Sequence, residues 1–82
     1  MCRNITELRG LEPPATTAEI EAAARQYVRK VSGFTHPSSA NAEAFEVAVA
    51  EVAATTTRLL YTLPERRQPP KTDPPLRRLA SR

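Results

Sequence analysis

The sequence predicts an all-α protein: an antiparallel helical hairpin preceded by a short N-terminal helical arm and followed by a disordered, basic, proline-rich C-terminal tail. Between Ser38 and Leu63, the residues Phe45, Val49, Val52, Thr56, Leu59 and Leu63 recur at steps of four and three, which aligns them on one face of a helix. Ile20, Ala24, Tyr27 and Val31 repeat in the same rhythm, so two helices carry matching apolar stripes. Beyond them lie Pro64, Pro69, Pro70, Pro74 and Pro75, with Leu76 and Leu79 as the only large apolar residues. Such a stretch buries too little surface to fold alone and reads as extended and polyproline-II-like.

In chain order, Asn4-Ile5-Thr6-Glu7 has the form of a capping box, and Gly10 supplies a stop, which together predict a helical turn over residues 5–9, with an extended arm as the alternative for so few residues. Pro13 and Pro14 interrupt, and Thr16-Thr17-Ala18-Glu19 forms a second capping box that opens the first long helix. Glu19 and Glu21 stand near its start and Arg25, Arg29 and Lys30 toward its end, as the helix dipole favours; Gly33 ends it. The connector Phe34-Thr35-His36-Pro37 is short enough to demand antiparallel neighbours. Ser38 or Ser39 caps the second helix, and Pro64 breaks it after Leu63. At 1.5 Å per residue the second helix is about 37 Å long and the first about 24 Å, an overhang of roughly 13 Å. That overhang carries Leu59, Leu60 and Leu63, and the N-terminal segment with Ile5, Leu8 and Leu11 is expected to fold over it. Residues 1–63 are thus read as the domain and 64–82 as its tail.

With 82 residues the chain holds one domain with a thin core. Mini-proteins of this size usually add disulfides, a metal or oligomerisation, and one Cys with one His excludes an internal disulfide and a four-ligand zinc site. Homo-oligomerisation is the remaining support. No apolar run spans a membrane or resembles a signal peptide, and a single Cys suits a reducing compartment, so the expectation is a cytoplasmic protein. Charge is uneven. The tail has six basic groups against Glu65 and Asp73, a net of +4, whereas residues 1–63 have six basic and seven acidic groups, a net of −1.

Met1-Cys2-Arg3-Asn4-Ile5, Glu12-Pro13-Pro14-Ala15-Thr16, Tyr27-Val28-Arg29-Lys30-Val31-Ser32-Gly33-Phe34, Pro37-Ser38, Ala40-Asn41 and Glu43-Ala44-Phe45 together resemble a small bacterial family, domain-of-unknown-function family 2277. The resemblance covers residues 1–63 and leaves the tail outside. It implies a short bacterial protein and supplies no catalytic residue, ligand or cofactor.

Three surfaces or groups are candidates for function. Val47, Ala50, Ala54 and Tyr61 form a second apolar strip on the long helix, a candidate interface for another chain or for the N-terminal arm. Arg66, Arg67, Lys71, Arg77, Arg78 and Arg82 are candidate contacts to a phosphate backbone, which such a segment neutralises without reading sequence. Cys2, beside Arg3, is a candidate reactive thiol. Its one conceivable base, His36, belongs to the opposite end of the hairpin, roughly 25 Å away, outside hydrogen-bond reach. Arg25, Arg29 and Lys30 read as a solvated face, with Arg25 one turn beyond Glu21. No catalytic, cofactor or metal motif is present. The leading reading is a non-enzymatic helical interaction module that binds a protein partner or itself. A nucleic-acid or ribosome-associated protein acting through its tail is the alternative, and a thiol-dependent enzyme or redox protein using Cys2 a weaker one.

Overall fold

The computed structural model describes residues 5–80, and the side chains of residues 5–77. Helix α1 spans Thr17–Ser32, α2 spans Ala42–Thr62, and a short α3 spans Pro75–Ala80. No strand occurs among the described residues. The expected capping box opens α1: the Glu19 amide donates to Thr16 Oγ1 at 3.1 Å, and the Thr16 amide donates to Glu19 Oε1 at 2.8 Å. Gly33 closes it in the left-handed conformation (φ 77°), donating its amide to the Arg29 carbonyl.

The two long helices form the hairpin. Ala24 and Val28 of α1 meet Phe45 and Val49 of α2 in one buried cluster, flanked by Ala48, Val52 and Ala53. A second cluster of Leu8, Leu11 and Ile20, with Ala15, Ala53 and Leu60 against it, shows the N-terminal segment lying over the end of the hairpin as expected. The whole is a slab of 44 × 31 × 18 Å.

Several expectations are corrected. The N-terminal segment is not a helix: residues 5–8 have no regular structure and a turn follows at Arg9 and Gly10. Five residues cannot repay helix nucleation, whereas an irregular path buries Leu8 and Leu11 together while Ile5 stays exposed. Helix α2 begins at Ala42 rather than at Ser38 or Ser39, because Ser38 is spent in a turn that accepts the Asn41 amide at 2.9 Å and the Asn41 side chain at 3.2 Å. At 21 residues it is about 32 Å long. Val28, not Tyr27 and Val31, completes the buried stripe of α1; Tyr27 and Val31 are exposed. On α2, Leu60 takes the inward place expected of Leu59 and Leu63, which are exposed. One neighbouring helix covers only a narrow row, and Ile20, Ala24 and Val28 at strict steps of four are that row.

The tail is corrected most. It folds back onto the N-terminal segment and the start of α1, with Pro70 and Pro74 buried and α3 at its end. Its apolar content alone predicted a mobile chain, but ion pairs and proline packing hold it as a strap.

Candidate interaction surfaces

Arg25 sits at the seam between α1 and α2. Its guanidinium donates to both carboxylate oxygens of Glu46, at 2.7 and 2.8 Å, and to Glu21 at 3.5 Å, with its carbon 5.9 Å from the centre of the Phe45 ring. The bond to Glu46 raises the Arg25 pKa and lowers that of Glu46, so both stay charged. Sequence spacing found the Glu21 partner, one turn away, and missed Glu46. A pairing 21 residues apart follows only from the hairpin register. This clamp closes one side of the helix pair.

The strap is pinned at two points. Arg66 pairs with Glu7, and Arg9 donates to the Pro64 carbonyl at 3.1 Å. Further on, Arg77 donates through Nε and Nη2 to the two oxygens of Glu19, each at 3.0 Å, and through Nη2 to the Pro14 carbonyl at 3.3 Å. Glu19 is only 5% exposed. Burial pushes its carboxyl up, but the Thr16 amide and Arg77 outweigh that penalty, and the net pKa lies below the ordinary carboxylate range. Gly10 is the close approach of strap to turn: its φ is +84°, and a Cβ there would meet the Arg66 side chain at 2.8 Å. Between the N-terminal segment, the ends of both long helices and residues 63–66 lies a crevice of about 350 Å³, floored by Leu8, Ile20 and Leu60 and rimmed by Arg9, Thr17 and Tyr61.

Val47, Ala50, Ala54 and Tyr61 are all exposed, and the N-terminal segment lies elsewhere, against Ala53 and Leu60. Of the six tail cations, Arg66 and Arg77 are held by carboxylates and Arg67 and Lys71 are exposed. Arg78 lies in α3, and Arg82 lies outside the described residues. Cys2 also lies outside them, and His36 is exposed in the connector. Among the described residues no group of three or more His, Cys, Asp or Glu side chains converges on a point that would hold a metal ion. No described helix is long and apolar enough to cross a membrane.

A third surface emerged only from the fold. Opposite the Arg25 clamp, Tyr27 of α1 lies beside Val52, Thr55 and Thr56 of α2 along an open groove, with Glu51 at its edge. Leu59, one helical repeat beyond Val52, extends the same row and is 53% exposed.

No curated protein and no solved structure matches this chain. One family model does, over residues 1–82, so the likeness seen in residues 1–63 continues through the strap. With the whole chain matched, the protein belongs to the family described as "Uncharacterized conserved protein (DUF2277)".

Proposed function

We propose that this protein is a non-enzymatic helical interaction module, in which the hairpin of residues 1–63 carries the recognition surfaces and residues 64–82 are an accessory basic segment. One observation supports this above others. Among the described residues nine large apolar side chains are exposed, Tyr61 and Val31 most of all, while only seven apolar residues are buried. Where such groups line up in a contiguous strip on a helix, they are candidate contact surfaces for another molecule. The Val47, Ala50, Ala54 and Tyr61 strip is a candidate contact on the outer face of α2, and Tyr27, Val52 and Leu59 are a second on the open side.

Phosphate-backbone binding through the strap is the alternative, favoured by the exposure of Arg67 and Lys71. Affinity capture from the native cell, with and without nuclease, separates the two. A protein partner retained after nuclease, and lost on replacing Tyr27 or Val47 by Lys with helicity unchanged, is the expected result. Capture that disappears with nuclease, or that survives both substitutions, would overturn the interaction-module reading.

A further inference from the structure

We infer that the place where the strap docks at the start of α1, built from Pro14, Thr16 and Glu19, is a binding site for a proline-flanked arginine of another protein, and that the strap occupies it as a built-in stand-in. The inference rests on the interaction-module reading and names the partner's chemistry: an exposed, extended Pro-Pro-x-Arg segment.

The hairpin builds the acceptor, and the strap supplies the ligand. Glu19 stands in the first turn of α1, where the Thr16 amide donates to its Oε1 at 2.8 Å, so the capping box aims the carboxylate independently of the strap. A carboxylate buried as Glu19 is demands a cation, and the one it has comes from 58 residues away. Arg77 lays Nε and Nη2 on the two Glu19 oxygens while Nη2 also reaches the Pro14 carbonyl. Two carboxylate oxygens with a carbonyl beside them match the planar fork of a guanidinium. A lysine ammonium, a compact point charge, does not span them in the same way.

The prolines deliver the arginine. Pro70 and Pro74 are buried, Pro75 takes the first position of α3, and the Arg77 amide donates to the Pro74 carbonyl at 3.0 Å. A proline at that position has its φ already set for the turn, which fixes the direction in which the arginine leaves the backbone. Pro-Pro-x-Arg is thus a local unit that any extended chain can present.

The strap is held by contacts that another segment can replace. Neither apolar cluster of the hairpin includes a residue of the strap, and Leu76, its one large aliphatic side chain among residues 64–77, is 40% exposed. The other pin, Arg66 with Glu7, is a surface pair, with the Glu7 side chain 68% exposed, and such pairs hold weakly. Two prolines and one buried ion pair therefore carry most of the hold, and a segment of the same chemistry competes for the site each time the strap opens. A second copy is a poor competitor, because its strap already has its own site at an effective concentration on the order of millimolar. A segment of another protein has no such site to give up.

Fluorescence polarisation with a labelled peptide of residues 69–77 tests this on full-length chains. Wild-type protein, its site filled, should bind the peptide weakly, and Arg77→Ala, alone or with Arg66→Ala, should bind it about tenfold tighter or more. Arg77→Lys in the peptide should weaken binding by about tenfold or more, because the bidentate pair is lost. Adding Glu19→Gln to the Arg77→Ala chain should abolish binding with circular dichroism unchanged, since glutamine there preserves the capping box. Equal binding by wild-type and opened chains, binding that survives Glu19→Gln, or equal binding of a scrambled peptide would overturn the site. So would a strap that stays protected from hydrogen exchange with both pins removed, since it would then be fixed and not exchangeable. No binding by either opened chain, with the strap released, would also overturn the site, and would leave the interaction-module reading to the nuclease-treated capture and the Tyr27 and Val47 substitutions. A wild-type chain that sediments as a dimer and becomes monomeric on Arg77→Ala would put a second copy's strap in the site and overturn the partner assigned.

Discussion

Val28 and Val31 have the same side chain on the same helix, one turn apart, and opposite surroundings: Val28 is 5% exposed and Val31 66%. Replacing Val28 by Ala should cost about 1.5–3 kcal/mol, the worth of burying such a side chain, whereas Val31→Ala should fall within about 0.5 kcal/mol. Chemical unfolding of the two variants checks the assignment, and equal losses would restore the stripe that sequence spacing favoured. Phe45 is the largest member of the buried cluster and has Arg25 over its ring. Phe45→Ala should therefore cost about 3–5 kcal/mol and lower the thermal midpoint sharply. An unchanged midpoint would show that its site is not a filled core position.

Elements depend on one another through a few polar residues, and Glu19 is the clearest case. It caps α1 through Thr16 and also anchors the strap through Arg77. Thr16→Ala should cost about 1 kcal/mol by removing the cap. Arg77→Ala should free the strap, so that amides of residues 64–77 exchange faster with deuterium while α2 keeps its protection. Uniform loss of protection would mean that strap and hairpin unfold as one unit. Acid should act like Arg77→Ala. The folded pKa of Glu19 is depressed below its unfolded value, so the stabilisation is present above the ordinary carboxylate range. It is lost as pH falls through the folded value. Relative to the intrinsic exchange rate at each pH, strap protection should hold from neutrality to about pH 5 and fall in more acid solution, and the fall should be absent in Glu19→Gln, whose strap is already loosened. The cap was legible in the sequence because its partners are three residues apart. The strap was not, because Glu19 and Arg77 are 58 residues apart and no local pattern joins them.

For the molecule as a whole, the folded-back strap changes what truncation does. Removal of residues 64–82 takes away the partners of Glu7 and Glu19 and uncovers a buried carboxylate, so stability should drop by about 1–3 kcal/mol instead of staying constant. A midpoint unaffected by truncation would show that the strap contributes nothing to the fold. The same pairing limits polyanion binding. With Arg66 and Arg77 engaged, at most four of the six basic groups can reach phosphate, and any affinity for RNA or DNA carried by the strap should weaken with salt at a log-log slope of magnitude no more than about 3.6. A steeper slope would mean that phosphate displaces the carboxylates and lifts the strap. Filter binding over a salt series reads the difference.

The sequence by itself determined the two long helices, both ends of α1 and the end of α2. Threonine and glycine caps, prolines and a period near 3.6 act within one or two turns, so α1, the end of α2 and the hairpin are written in local spacing. Tertiary structure alone decided which flank of each stripe is covered, because a stripe wide enough for two neighbours looks the same whether one or two are present. It also decided the fate of the charged tail: a composition too polar to form a core still docks when carboxylates at Glu7 and Glu19 wait for its arginines, and only the folded chain brings them within reach.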